Sequence, residues 1–287
     1  MRFIGQQLFV LTVAFLWVVG TAAALSEDRK LEVAVFDDTG VGPSGTSLVK
    51  VLKRCENIRV SLLDGADIRE GALDRFDVFM APGGSGRGEA RSLEESGREE
   101  VKRYVRNGGC YVGICAGCYL ATNATDYLGL LPVGIRDRRH WHRGKAVLPI
   151  EFTAAGKAVL GMEERRARIV YHNGPVLNCE HALEAPELMK NFVPLAYFRD
   201  EIVARGGERG VMKGAPAMVL ARYGKGLVLG ISPHPEQTKP LNRILPHALE
   251  WLHAHVDKPG TIRELVEEPR KNSATNSGIR EQASKLN

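Results

Sequence analysis

Two short segments of the 287-residue chain hold residue types that do chemistry, at spacings that would let them do it. In the first, Gly113-Ile114-Cys115-Ala116-Gly117, a cysteine sits between two glycines, after the apolar run Cys110 to Ile114 and before a helical segment through about Thr122. A nucleophile on a sharp strand-to-helix turn needs that arrangement. The glycines permit a tight backbone, the side chain is exposed at the sheet end, and the helix N-terminus behind it favours the thiolate. The Ala116 N–H would donate to the oxyanion of an attacked carbonyl, and a second donor is expected from the loop Pro82-Gly83-Gly84-Ser85-Gly86, at the Gly84 N–H. In the second segment, Ser232-Pro233-His234-Pro235-Glu236, His234 precedes a proline and is pushed to extended geometry. Side chains at i and i+2 then point the same way, so Glu236 can orient an imidazole that serves the thiol as base.

Each feature has a plainer alternative. A free cysteine is often a small core residue, a glycine loop after a strand is a common connector, and His-Pro-Glu is an ordinary helix entry with an acidic first turn. Cys118 lies three residues past Cys115, so a redox pair is also open. A metal site would want further ligands that no other C-x-x-C or H-x-x-x-H provides, so neither a metal nor a cofactor is expected.

The elements that must position these groups follow from apolar runs and their punctuation. Leu31 to Asp37, Asn57 to Leu63, Phe76 to Ala81 and Cys110 to Ile114 are short apolar runs ending at polar or Gly/Pro residues, as buried parallel strands do. Helical stretches fall between them, one starting at Pro43 and one carrying Leu93, Val101, Tyr104 and Val105 up to Asn107-Gly108-Gly109. Alternating strands and helices predict an α/β fold, a mostly parallel sheet with helices on both faces, with ligands outside the carboxyl ends of the strands. Leu148 to Phe152, Ala167 to Tyr171, Leu195 to Ala204 and Ala217 to Tyr223 are expected to add strands, several of them antiparallel. Leu227 to Ile231 is a last strand, and the helix after Glu236 has Pro246 as a kink or in its first turn.

The composition, 44% hydrophobic and 25% charged, is that of an ordinary globular chain. Arg2, the 12-residue apolar run Leu8 to Val19 and Ala22-Ala23-Ala24 have the form of a signal peptide, residues 1–24, cleaved after Ala24. About 20 apolar residues are needed to span a bilayer, so a retained anchor is the weaker alternative. The mature protein is expected to be exported, periplasmic or secreted, with no stable membrane insertion. Losing residues 1–24 removes Arg2 and no acid, lowering the formal charge from +5 to +4. The basic residues are scattered except for Arg136, Arg138, Arg139 and Arg143 around Trp141, which argues against nucleic acid and more for solvated surface, with an anionic ligand near that one cluster as the alternative. The packed domain is expected over 28–256, and the polar tail 257–287 has too little apolar surface to order itself. Five cysteines are too few for a disulfide scaffold, and their odd number leaves at least one thiol unpaired within the chain.

Taken together, APGGSG, NGGCYVGICAGCYLAT, VYHNGPV and GKGLVLGISPHPE resemble the class I glutamine amidotransferase-like superfamily over roughly Leu31 to Val256. Within it the chain is most similar to the amidotransferase-like domain at the N-terminus of some biotin-protein ligases, in a stand-alone exported form. The resemblance implies a flavodoxin-like sheet, a triad of Cys115, His234 and Glu236, an oxyanion hole at Gly84 and Ala116, and substrate contacts at Gly83, Tyr119, Asn173 and Gly174. It implies a cysteine-dependent amide hydrolase acting on a small-molecule or peptide-like substrate. Glutamine-hydrolysing members usually carry a Gln two or three residues past the second elbow glycine, where this chain has Cys118-Tyr119-Leu120. A catalytically quiet domain that binds a small molecule or a cell-envelope partner therefore stays open. PfpI-type proteases and chaperones share the elbow, but their histidine directly follows the cysteine, where Ala116 stands here.

Overall fold

The computed structural model describes residues 29–136, 139, 141–180, 185–204 and 206–267. The expected signal peptide lies outside them. Five strands, β1 (Leu31–Phe36), β2 (Ile58–Leu63), β3 (Val78–Ala81), β4 (Cys110–Ile114) and β11 (Gly226–Ile231), run parallel in the order β2-β1-β3-β4-β11. Four more, β6 (Lys145–Phe152), β7 (Arg166–His172), β9 (Phe192–Phe198) and β10 (Pro216–Tyr223), continue the same sheet antiparallel in the order β10-β9-β6-β7. Two short strands, β5 (Gly134–Ile135) and β8 (Leu177–Asn178), pair separately. The expected mixed sheet is present, with its antiparallel strands in the second half of the chain.

Because side chains alternate across a strand, the sheet divides the apolar residues into two cores. Val33 and Val35 of β1, Val112 and Ile114 of β4, and Leu229 and Ile231 of β11 face one side. There they meet Leu48 and Leu52 of α1 (Pro43–Leu52), Val159 of α5 (Ala154–Leu160) and Leu245 to Leu252 of α6 (Ile244–His255). Ala34, Phe36, Phe79 and Tyr111 face the other side, under Ile68 of α2 (Gly65–Arg69), Leu93 and Val101 of α3 (Gly86–Arg106), and Leu120 of α4 (Ala116–Ala121). Pro246 sits in the first turn of α6, where its missing N–H breaks no helical bond.

Two expectations about extent change. The run expected as a strand through Ala204 ends at Phe198, where Arg199 N–H turns to Pro149 O (2.9 Å) and residues 201–204 leave the sheet. The polar tail does not begin at 257 as a loose segment. Residues 262–267 are helical, and Ile262, Leu265 and Val266, at i, i+3 and i+4, bury one face in the first core. Leu265→Ala should therefore cost about 2–5 kcal/mol in urea denaturation, as buried leucine truncations do, whereas an unpacked segment would give a change near zero.

Candidate active site

The parallel strands place their carboxyl ends together, and the sequence-marked groups meet there. Cys115 follows β4 with φ 52° and ψ −98°, in the positive-φ region that a side-chain-bearing residue rarely occupies. The two glycines make this turn possible by close approach. A Cβ at Gly113 would stand 2.3 Å from Gly117 O, and one at Gly117 would stand 2.1 Å from Ala81 O on β3. Backbone bonds hold the elbow on both sides, from Cys115 N–H to Ile231 O (2.8 Å) and from Gly117 N–H to Pro82 O (3.0 Å).

His234 leaves β11 almost fully buried, and its Nδ1 shares a 2.6 Å hydrogen bond with Glu236 Oε1. Its other nitrogen, Nε2, is buried without a hydrogen-bonded partner among the described residues, while the Cys115 thiol lies near enough to act on its charge. Burial lowers the His234 pKa, but Cys115 and Glu236 more than offset it and carry it up to about 10. The Cys115 thiol itself donates to His172 O at 3.4 Å. The backbone that carries His234 is tied down by its N–H to Val170 O (2.7 Å) and by Thr238 Oγ1, which donates to His234 O (2.8 Å).

The loop after β3 faces the same point. Gly83 N–H donates to Ser44 Oγ (3.0 Å), Ser85 N–H to Gly40 O (2.7 Å), and Gly117 N–H to Pro82 O. The amides of Gly84 and Ala116 lie between these bonded neighbours and donate to no acceptor among the described residues. They are the two amides for which an oxyanion-donor role was expected above. α4 is only six residues long, so local amides rather than a long helix dipole would act on charge at the thiol.

A cavity of about 650 Å³ opens over these groups. Of the four expected substrate contacts, Gly83, Tyr119 and Asn173 line it. Gly174 does not: it is buried against the backbone of Ser232, where a Cβ would stand 2.1 Å from the carbonyl oxygen, and its own carbonyl accepts from Tyr171 Oη (2.8 Å). Gly174 shapes the loop that Asn173 presents. Asn173, at φ 55°, spends its Oδ1 on Gly144 N–H (2.7 Å).

The other cysteines are apart from this chemistry. All five are free thiols. Burial pushes Cys110 and Cys179 up to about 12 and Cys118 well above its ordinary value. Cys118 packs in the opposite core from Cys115, against Leu131 and Val219 around Gly230, an arrangement that gives no support to a redox pair. Among the described residues no set of His, Cys, Asp and Glu side chains converges as metal ligands.

Two neighbours of the site, Ser44 and Glu89, were not marked in the sequence, and Arg143 was marked for a different role. Ser44, in the first turn of α1, donates to Glu236 Oε1 (2.9 Å) while accepting from Gly83, so it joins the glycine loop to the histidine's partner. Glu89, on α3, is fully buried with neither carboxyl oxygen partnered among the described residues, and burial, then the nearby Cys115, raises its pKa well above the ordinary value. Arg143, taken with the basic cluster at Trp141, is buried and directs its guanidinium to the carbonyls of Ile202 and Glu208. Of that cluster Arg136 pairs with Glu180, Arg139 lines the cavity, and Arg138 lies outside the described residues.

Residues 32–136 match the family described as "Biotin-protein ligase, N terminal", a span that contains the elbow and stops short of His234. No curated protein matches the chain. Among solved structures, PurLQS from Thermotoga maritima aligns with TM-score 0.57 and 15% identity over 78% of this chain and 100% of that one. A protein from Thermoplasma acidophilum described as a putative GMP synthase component gives 0.52 and 14% over 79% and 95%. A putative ThuA-like protein from Bacteroides uniformis gives 0.52 and 12% over 85% and 99%. At these identities the likeness is one of fold.

Glu89 yields a stability prediction with a definite sign. Its raised pKa means the folded state keeps a proton that the unfolded chain releases above the ordinary value of 4.5, so wild-type stability falls as pH rises past that point. Glu89→Met, which fills the space without a carboxyl, should be more stable than wild type by a margin that grows from pH 4 to pH 8. The check is thermal denaturation across that range, and a margin independent of pH would show that the carboxyl is not held neutral.

Proposed function

We propose that the chain, whose residues 32–136 match the biotin-protein ligase N-terminal family and whose fold is like that of PurLQS, is a cysteine-dependent amide hydrolase. One observation carries the reading: the imidazole of His234 is held by Glu236 at 2.6 Å beside a strained elbow cysteine, with two unpaired amides at the same point. Nothing in the core requires that combination of a positive φ, a buried charged pair and unpaired donors.

In the proposed reaction the Cys115 thiolate forms a bond to the amide carbonyl carbon. The carbonyl π electrons move to oxygen, and the Gly84 and Ala116 amides receive the oxyanion. The tetrahedral centre collapses, the C–N bond breaks, and the proton on His234 Nε2 goes to the leaving nitrogen. A thioester remains on Cys115. Water, giving its proton to the now neutral His234, attacks that thioester and releases a carboxylic acid and the thiolate. Glu236, positioned by Ser44, keeps the imidazole in orientation and favours its charged form. The Leu8 to Val19 run and its alanines support export as the setting of this activity.

Cys115→Ser should reduce ammonia release from carboxamide substrates to background, and Glu236→Gln should reduce it by about 10²–10⁴-fold. Unchanged turnover in Cys115→Ser would leave the protein as a binding domain. The pH dependence has a fixed direction. The charged imidazole is the acid, and its pKa is raised to about 10, so activity falls as pH rises through about 10; the stability from the charged His234 is complete below the ordinary 6.5 and is lost as pH rises through about 10. In Glu236→Gln, which removes a raising partner, the alkaline limb of the pH–rate profile should move to lower pH.

A further inference from the structure

The wall of the cavity facing Cys115 is one-sided in charge. Arg87 at the start of α3, Arg139 in the segment after β5, and Lys145 at the start of β6 all line it and are exposed. None of the three forms an ion pair with a described residue. No carboxylate side chain among the described residues lines the cavity. The nearest acid of the machinery, Glu236, is buried behind His234 and bound to Ser44. Lys145 also acts on His172, whose pKa is lowered first by burial and then by His234, Lys145 and His142. Trp141, a large apolar side chain left 54% exposed, lines the same space.

Three unpaired cations brought from separate elements to one cavity create a positive potential that concentrates anions, and a concave low-dielectric wall focuses it. Free glutamine carries an ammonium beside its carboxylate, and that ammonium meets no carboxylate side chain among the described residues that line the cavity. Resting on the hydrolase reading above, we infer that the substrate is a carboxamide that carries a free carboxylate and no free amine. The side-chain amide of an N-acylated or peptide-linked residue with its carboxylate exposed has this chemistry. The carboxylate meets Arg87, Arg139 and Lys145, the acyl group lies on Trp141, and the amide reaches Cys115.

The test separates binding from turnover. Full-length Cys115→Ala protein is titrated by calorimetry with N-acetylglutamine, with its uncharged α-amide, and with glutamine, at low and high salt. N-acetylglutamine should bind at least tenfold more tightly than either of the others, and the advantage should shrink with salt. The triple variant Arg87→Gln, Arg139→Gln, Lys145→Gln should lose it, with thermal denaturation showing that the variant is folded. Equal binding of the uncharged α-amide, an undiminished preference in the triple variant, or binding by none of the three overturns the inference. Ammonia release by protein with Cys115 intact is read separately. Selective binding without release removes the hydrolase reading and leaves the anion site, whereas release at equal kcat/KM from the charged and uncharged amides removes the anion site and leaves the hydrolase.

Discussion

The backbone of Cys115 is the constraint on which the site depends. A non-glycine residue at φ 52° costs on the order of 1–3 kcal/mol, and it persists only where its surroundings leave no cheaper arrangement. Here β3 and β11 close on the turn from either side: Ala81 and Pro82 lie against Gly117, and Ile231 O receives the Cys115 N–H. Side chains at positions 113 or 117 would collide with backbone, so the turn cannot relax without separating three central strands. That tension holds the buried thiol at the cavity wall and leaves the Ala116 amide without an acceptor among the described residues.

The same end of the sheet concentrates the unsatisfied polar groups. Of six buried side-chain atoms without a partner among the described residues, four belong to Glu89, His234 and Glu236. Buried polar atoms usually find partners, and each one left alone costs about 1–3 kcal/mol. The hydrogen-bonded chain from Gly83 N–H through Ser44 to Glu236 and His234 shows that the fold satisfies this region where orientation matters, and leaves open the Nε2 atom that faces the thiol. A site of this type spends stability from the two large cores to hold groups in a state that water would otherwise relax.

How much of this was legible in the sequence depends on whether the signal was local. Buried parallel strands announce themselves as apolar runs, and the elbow needs its glycines within two residues of Cys115, so β1, β3, β4, β11 and the thiol could be placed from the sequence. His234 and Glu236 were readable for the same reason, being two residues apart. Ser44 was not, because a serine in a first helical turn is ordinary, and only the strand order β1-β3-β4-β11 brings the turn after β1 to Glu236 after β11. Glu89 has the look of a solvated acid at a helix start; it is buried because the Gly40 backbone packs onto that turn. Arg143 has the charge of a ligand cation but is consumed by two carbonyls from 202 and 208, distant segments whose approach no local pattern reveals. The 262–267 helix was masked by polar neighbours, since three apolar residues in six make a weak stripe when read beside a long hydrophilic tail.

The two halves of the sheet carry different tasks. The thiol, the histidine, the carboxylate and the two free amides all come from the ends of β3, β4 and β11, which are parallel and buried on both faces. Lys145, His172 and Asn173 come from β6 and β7 at the antiparallel edge, and Arg139 and Trp141 from the segment leading to it. Substitution in the second group can change what enters the cavity without disturbing the strained elbow, because the two sets sit on different strands of the sheet. The exception is the bridge between Val170 and His234, whose N–H donates to Val170 O at 2.7 Å. Through it the edge strand that shapes the substrate wall also sets the backbone of the histidine, so a shift of β7 to admit a different ligand would move the imidazole relative to Cys115. Recognition and chemistry are mechanically joined there, and again where the Cys115 thiol donates to His172 O at 3.4 Å.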